Sequence, residues 1–551
     1  MYYKLIFLIL LVPVLFTFPT IIRGQTPRYL IGLNDNIAEG DNSPYDQVQP
    51  GDTVYIQSGT RGYLRIRDFT GSQDNPVIFM NYGGVVTVNT SYNYGIAVSN
   101  CRYVRMTGSG DPGNFYGVFI QHVGNGAGIS FGEVCSDFEL DHVKITDDPI
   151  AGLYAKTDPD CSFTSTRNNF TQFNTRIHDN YIESTGNEGL YIGSSFYNGE
   201  TFNCNGKDTI LFPSILSGVR VYNNIVKSSG WDGIQVSSAS VDCQVYNNVV
   251  MYDSQAEVNS QMTGIILGGG SKCDCYNNNI SEGKGDGIED HGLGGNRVFN
   301  NLIIDAGRTY FPNDLTKKKF GIYVSDVSVQ HDSSFRILFN DIINPKCDGI
   351  RFASVNSKNN LIASNAIINP GDFILEGNAS YVEVEDPSSD VLISNNYFAV
   401  DTSGAGFAPN SYQLDAGSPL IDAGYYENEG IDFDFLNNPR PQGTGNDIGA
   451  YEYGSGITGI QTIKPASNLS HPFPNPARTQ LTIAYEFSRT SDVQLDIYTL
   501  EGLRIFSTVQ SSVPGGKHTM LVEVQELQSG LYMYSLRGGN EVVTGKFIKT
   551  E

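Results

Sequence analysis

A six-residue pattern with a turn at its centre recurs eight times between residues 177 and 398. In sequence order its copies read IHDNYI, VYNNIV, VYNNVV, CYNNNI, VFNNLI, LFNDII, IASNAI and ISNNYF. We assign the second turn position to Asn180, Asn224, Asn248, Asn278, Asn301, Asp341, Asn365 and Asn396. The shortest spacings, 23 and 24 residues, predict the length of one structural unit, and the longer spacings predict inserted loops. Asparagine suits this position because it tolerates a left-handed backbone and its amide can bond to the copies above and below.

A second pattern alternates with the first and consists of a glycine followed by an apolar, a variable and a mostly apolar residue. Its copies read AGLYA, EGLYI, DGIQV, TGIIL, DGIED, FGIYV and DGIRF, beginning at residues 151, 188, 232, 263, 286, 320 and 348. This alternation predicts a short strand with one buried face. Repetition of strand, turn, strand, asparagine turn and strand predicts a parallel solenoid.

Together the two patterns resemble the right-handed parallel β-helix of pectate-lyase-like proteins, over roughly residues 45–400. The resemblance implies an all-β chain, with a solenoid followed by a small C-terminal β-sandwich. It is specific for the fold and weak for the function, since this fold hosts lyases, hydrolases, epimerases and adhesins.

The N-terminal 24 residues are predicted to be a signal peptide, because Lys4 precedes an apolar run and a small residue, Gly24, marks the expected cleavage point. The run is too short for a membrane span, so we expect no transmembrane segment in the mature chain. The β-helix is assigned to residues 25–400, and we expect a monomer.

The C-terminal region contains two further recognisable segments. GSPLIDAG (417–424) and NDIGAYEY (446–453) resemble a choice-of-anchor domain, so residues 401–453 are interpreted as a closing segment that covers the open edge of the solenoid. After a linker at 454–466, residues 467–551 resemble the sorting domain of type IX secretion substrates, with PNP at 474–476. This resemblance implies that the type IX secretion machinery is a partner and that the protein is secreted or held at the cell surface.

Charge and cysteines limit the remaining possibilities. The net charge of −24 and the pI near 4.6 disfavour a nucleic-acid partner, which would require a basic patch. Cys161 and Cys204 lie in two long insertions and are predicted to form a disulfide, whereas Cys243 and Cys273 are predicted to stack on neighbouring turns.

The strand phase indicates where chemistry can occur. In DGIQV, Ile234 and Val236 point inward, so Gln235 points outward. By the same phase Glu289 and His291 share one outward face, which makes them a carboxylate–imidazole pair. The candidate catalytic residues are Glu289, His291, Asp232, Asp286 and Arg351. The candidate substrate-binding residues are Tyr154, Lys156, Tyr191, Trp231, Gln235 and Tyr323.

An acidic residue precedes the glycine in several copies, namely Glu188, Asp232, Asp286 and Asp348. Glu188 and Asp232 would lie on adjacent rungs, about 4.8 Å apart, where they could share a calcium ion. Asp232 and Asp286 would be about 9.6 Å apart, near the upper end of the separation used by inverting glycoside hydrolases. Acidic residues before glycine are also ordinary turn formers, so a purely structural role stays open.

These features predict a secreted polysaccharide-active enzyme. β-Elimination of a uronate polymer needs a base, for which His291, Lys156 and Tyr191 are candidates, and a cation such as Arg351 or calcium beside the carboxylate. Hydrolysis would instead use Asp232, Asp286 or Glu289 as acid and base. The basic insertion 306–319 suits an anionic sugar. The alternative is a non-catalytic adhesin or glycan-binding protein, which would spread its contacts along the solenoid instead of clustering them.

Overall fold

The computed structural model describes residues 28–454, except 112, 315, 373–378 and 410. Of the C-terminal region it describes 472–550, except 473, 476, 488, 489, 499–503, 526, 528, 529, 539 and 540. The predicted signal peptide and residues 455–466 of the predicted linker lie outside these ranges. Among the described residues, no helix is long and apolar enough to span a bilayer.

Two long parallel sheets form the solenoid, and each turn of the chain contributes strands to both. The larger, sheet A, has 24 strands in the described residues. They are Leu30–Ile31, Thr53–Arg61, Val77–Asn89, Arg102–Thr107, Val118–His122, Ser136–Asp141, Val143–Asp148, Thr171–Phe173, Arg176–His178, Tyr181–Thr185, Ile215–Tyr222, Ile225–Lys227, Ala239–Tyr246, Val249–Met251, Cys273–Tyr276, Asn279–Ser281, Arg297–Phe299, Leu302–Ile304, Arg336–Leu338, Asp341–Ile343, Asn360–Ala363, Ala366–Ile368, Val391–Ser394 and Tyr397–Ala399.

Sheet B contains the glycine-led strands of the second sequence pattern and has 12 strands in the described residues. They are Ile37–Glu39, Leu64–Arg67, Tyr94–Ser99, Ala127–Gly132, Leu153–Ala155, Leu190–Ile192, Ile234–Val236, Thr263–Leu267, Asp286–Asp290, Ile322–Val324, Ile350–Phe352 and Val382–Val384. Ile234 and Val236 are fully buried inside the solenoid, as the alternation predicts.

The remaining elements are short or C-terminal. Single-turn 3-10 helices lie at Tyr45–Gln47, Pro370–Asp372 and Thr402–Gly404, and an antiparallel hairpin joins Glu200–Cys204 to Lys207–Leu211. The C-terminal domain pairs Gln480–Phe487 with Gly516–Glu523 and adds an antiparallel sheet of Arg504–Val513, Ser491–Tyr498, Gly530–Gly538 and Glu541–Lys549. Both of its sheets share one apolar core, so the predicted all-β class with a small C-terminal sandwich is confirmed.

A ladder of asparagine amides locks the corner between consecutive strands of sheet A. Nδ2 of Asn224 donates to Oδ1 of Asn248 at 3.0 Å and to the carbonyl of Ile177 at 2.9 Å. The backbone N–H of Asn224 also donates to Oδ1 of Asn248, at 3.1 Å. The ladder continues rung by rung through Asn180, Asn224, Asn248, Asn278, Asn301, Asn340, Asn365 and Asn396.

The assignment of Asp341 to this ladder is wrong, and Asn340 takes the position. In this copy the left-handed turn residue is Phe339, with φ of 56°, where the preceding copy has Asn300. Asp341 therefore begins the next strand, opposite Leu302. An aromatic residue in a left-handed turn is uncommon. The sequence pattern alone therefore aligns the adjacent Asn-Asp pair with the ladder one residue too late.

The closing segment lies on the flank of the solenoid. Its Leu420 and Ile448 pack against Ile343 and Ile368 on the outer face of sheet A. At the last rung, by contrast, Ile393 remains 40% exposed. The expectation that residues 401–453 cover the open edge is thus not what the described residues show. The outward side chains of the final rungs are apolar, and covering them removes that surface from water.

Both cysteine predictions are met. Cys161 and Cys204 form the predicted disulfide, which ties the two long insertions together. Cys243 and Cys273 occupy paired positions on neighbouring rungs and are also bonded to each other.

We expect Asn278→Ala to lower the free energy of unfolding by about 2–4 kcal/mol, because it leaves buried partners of the ladder unsatisfied. The shift of the urea midpoint measures this loss. Asn198→Ala is the matched control, since in the described part of the chain Asn198 bonds to the carbonyl of Val327, outside the ladder. Equal midpoint shifts for the two variants would contradict a special role for the ladder.

Candidate functional site

The outer face of sheet B carries the predicted column of side chains in register. Strand pairing places Glu289 beside Ile266 on one side and beside Tyr323 on the other. The full column runs through Tyr154, Tyr191, Gln235, Ile266, Glu289, Tyr323 and Arg351. Each residue faces the same side of one sheet, but Tyr191 and Gln235 are only 8% and 5% exposed, so part of the predicted substrate-binding column is covered.

Glu289 and His291 form a hydrogen-bonded pair on this surface. Nε2 of His291 lies 2.8 Å from Oε2 of Glu289, and Nδ1 lies 2.6 Å from Oγ of Ser325. Each of the two side chains keeps 16% of its surface exposed. The carbonyl of His291 accepts a hydrogen bond from Ser328 at 2.6 Å, which fixes the loop that follows the strand.

Asp286 lies behind this pair and is almost fully buried. Its Oδ2 accepts a hydrogen bond from Nζ of Lys319 at 2.7 Å, and its Oδ1 accepts one from the backbone N–H of Phe320. Asp286 and Glu289 also shift each other's pKa, so Asp286, Glu289 and His291 are one electrostatically linked group.

The environment separates the charge states of this group. Burial, reinforced by Glu289, raises the pKa of Asp286 against the opposing charge of Lys319. Burial alone would raise the pKa of Glu289, but the hydrogen bond and charge of His291 outweigh it and lower that pKa. Burial alone would lower the pKa of His291, and Glu289 reverses the shift so that this pKa is raised. These shifts favour the carboxylate form of Glu289 and the protonated form of His291.

Glu188 and Asp232 occupy adjacent rungs, and each is at most 2% exposed. In the described residues, Oε2 of Glu188 and Oδ1 of Asp232 lack a hydrogen-bonding partner, as do Oε1 of Gln235 and Oγ1 of Thr263. Burial raises the pKa values of both acids, and in Asp232 the negative charges of Glu289 and Glu188 add to the effect. Thr263 lies between the rungs of Asp232 and Asp286, so these two aspartates are two rungs apart as predicted.

Lys156 joins the upstream part of the column. Its Nζ lies 4.4 Å from the centre of the Tyr191 ring and 5.6 Å from that of Tyr154. It also forms an ion pair with Asp158 at 2.9 Å. Trp231 is half-buried in the turn before Asp232. This end of the surface therefore combines one cation with aromatic rings.

Arg351 is already engaged in ion pairs. Its guanidinium bonds to Asp348 at 2.8 Å and to Glu385, and it lies 5.1 Å from the centre of the Phe320 ring. The side chain keeps 19% of its surface exposed. It lies two rungs from Glu289, so it borders the Glu289–His291 pair without contacting it.

Lys319 and Ser325 contact the site directly, but sequence reasoning gave neither a specific role. Lys319 was assigned only to a basic loop, although it directly precedes Phe320 and Gly321 of a strand repeat. That position places it at the corner where the acidic residues of other repeats lie. Ser325 occupies the same position after its strand as His291, one rung further on.

Two family models match the chain. Residues 216–398 match a model described as a right handed beta helix region, and residues 472–550 match a secretion system C-terminal sorting domain. The chain is a right-handed parallel β-helix with a type IX sorting domain. This β-helix protein is therefore secreted or displayed at the cell surface through type IX secretion.

Several solved structures are similar to this β-helix protein at low identity. An alginate lyase from Paenibacillus sp. str. FPU-7 shares 12% identity at a TM-score of 0.30, covering 67% of this chain and 99% of its own. The A-module of mannuronan C-5 epimerase AlgE6 from Azotobacter vinelandii shares 12% identity at a TM-score of 0.34, with the same coverage. XylC in complex with xylose shares 11% identity at 0.35, covering 74% and 94%. No curated protein matches the sequence.

We expect His291 to titrate above the usual histidine value of about 6.5, because Glu289 stabilises its charged form. NMR of the histidine ring, assigned with a His291→Gln variant, measures this pKa. Glu289→Gln should lower it, whereas Glu383→Gln, which removes a carboxylate from the same column, should leave it unchanged. A titration of His291 at or below 6.5 in the unmodified chain would contradict the arrangement.

Proposed function

We propose that this protein is an exported enzyme that cleaves a uronate-containing polysaccharide, with Glu289 and His291 as its acid–base pair. The observation that carries the proposal is the hydrogen-bonded carboxylate–imidazole pair, partly exposed on the outer face of sheet B and backed by a buried carboxyl and a lysine. Perturbed groups of this kind that reach the surface are more typical of reaction centres than of binding faces.

The geometry favours β-elimination over hydrolysis. Hydrolysis needs two carboxyl groups about 5–9.5 Å apart that both reach the bond, whereas Asp286 is 3% exposed and bonded to Lys319. Asp232 is 1% exposed, which keeps it from a polymer lying on the sheet. Elimination needs one base, one acid and a positive charge near the sugar carboxylate. One partly exposed pair supplies the base and the acid, and Arg351, two rungs away, supplies a cation.

Each group receives a role in this proposal. Glu289, ionised at neutral pH, accepts the proton next to the sugar carboxylate. His291 then donates the proton on its Nδ1 to the oxygen of the departing sugar. In the structure Nδ1 bonds to Ser325, and the departing oxygen replaces that serine. Lys156 and Arg351 neutralise carboxylates of the polymer in exchange for their own ion pairs. The partly exposed rings of Tyr154 and Tyr323 contact the apolar faces of sugars, whereas Tyr191 is buried.

We expect the chain to release unsaturated products from a uronate polymer, detected together as ultraviolet absorbance and as new reducing ends. Glu289→Ala and His291→Ala should each lower the rate by about 10²–10⁴-fold, the usual contribution of a general acid or base. Glu383→Gln, on the same face, should stay near the unmodified rate.

Two results would overturn this assignment. Reducing ends without ultraviolet absorbance would mean hydrolysis. If neither signal appears on a panel of neutral and acidic glycans, and the same glycans are retained by the immobilised chain, the protein is a glycan-binding adhesin.

We further propose that Glu188 and Asp232 hold a calcium ion beside the pair. Four unpartnered side-chain oxygens on three neighbouring rungs form an all-oxygen set, which suits a hard cation. When bound, the ion would balance the negative charge of these buried carboxyls beside Glu289.

Calcium chloride should raise the melting temperature, and it should do so less at low pH, because the carboxyls must lose their protons to bind. The double variant Glu188→Gln, Asp232→Asn should abolish the shift, with magnesium chloride as the control salt. An equal shift in the double variant would place the ion elsewhere.

A further inference from the structure

Cys101 and Cys135 lie directly before two neighbouring strands of sheet A. The strands pair in parallel with Arg102 opposite Ser136, so the two cysteines occupy the same position on consecutive rungs. Their side chains are 0% and 1% exposed. The thiols are therefore enclosed together, away from solvent and from the surface of sheet B.

The two cysteines are already in contact. The backbone N–H of Cys101 donates to Sγ of Cys135 at 3.4 Å, while the two thiols donate to the backbone carbonyls of Ser99 and Val98. Neighbouring strands are about 4.8 Å apart, which falls inside the range of about 4.4–6.8 Å between the Cα atoms of bonded cysteines. Rotation of the side chains is enough to join them, without a change in backbone register.

The same chain offers a direct comparison. Cys243 and Cys273 are opposite each other in a parallel pair and are bonded, with their Cα atoms 4.5 Å apart. Cys275, by contrast, faces Val245 and Val298 on its two neighbouring rungs, so it has no cysteine beside it. Cysteines that lie opposite each other on neighbouring rungs can therefore form a disulfide, whereas Cys275 has no such partner.

We propose that Cys101 and Cys135 form a third disulfide in the exported protein, a covalent link between two consecutive rungs. The sorting domain takes the chain through the periplasm, a compartment where disulfides form and persist. The two thiols give up two protons and two electrons, and the disulfide of a periplasmic thiol oxidase accepts them by exchange and becomes a dithiol. The proposal does not depend on the polysaccharide-cleaving activity.

The test uses full-length protein exported through an oxidising periplasm, quenched in acid and alkylated with N-ethylmaleimide in denaturant without reductant. Peptide mass spectrometry should find Cys101 linked to Cys135, and alkylation only at Cys275 and Cys347, where the structure leaves four free thiols. Alkylated Cys101 and Cys135 in most molecules would overturn the proposal. The double variant Cys275→Ser, Cys347→Ser should retain the link. Loss of the link in this variant would overturn the proposal, because the bond would then have arisen by exchange with those thiols.

A second measurement separates the bond from the packing of the side chains. The double variant Cys101→Ser, Cys135→Ser should melt below the unmodified protein without reductant, and the difference should shrink in dithiothreitol. An unchanged difference in dithiothreitol would attribute the loss to the buried serines and refute a stabilising link.

Discussion

Register between consecutive rungs is the constraint on which the rest of the structure depends. Backbone hydrogen bonds hold neighbouring strands about 4.8 Å apart, and the asparagine ladder fixes the corner so that no rung can slip. A slip of one residue would turn every inward side chain outward. Since register holds without a shift between the strands of sheet B that carry the site, any residue type that repeats at one position there becomes a continuous column in space.

Columns create an electrostatic problem wherever the repeated residue is acidic. Glu188, Asp232 and Asp286 occupy one column, and each is nearly buried. Like charges at this spacing in a weakly polar environment repel strongly, so protons or cations must balance them. Lys319 does this for Asp286 through an ion pair, whereas Glu188 and Asp232 form no ion pair among the described residues and burial raises their pKa values. The charge of the acidic column must therefore be neutralised, either by protons or by bound cations.

The fold and the face of the site could be predicted from the sequence because both follow from periodicity. The outward phase of Glu289 and His291 needs only the alternation of a strand. Two features could not be read in this way. Lys319 reaches Asp286 from the end of an insertion whose path no repeat specifies. Asp286 interacts with Glu289, three residues further along the chain. Alternation does not predict this, because Asp286 begins the strand at a corner. Asp348 and Arg351 are paired at the same spacing. Asp341 is misplaced for a related reason. One irregular turn, at Phe339, shifts the alignment of its copy by one residue.

The charges of the site also bear on the choice between catalysis and binding. Burying ionised groups carries a large desolvation penalty, and a similar surface of apolar and hydroxyl side chains would avoid it. A face that only bound a neutral glycan would gain little from the Asp286–Glu289–His291 group, since aromatic rings and hydroxyls provide the same contacts. Acid–base chemistry, in contrast, requires one group that stays ionised and one that stays protonated at the same pH. Lys319, Asp286 and His291 establish that separation around Glu289, which favours the catalytic interpretation of this face.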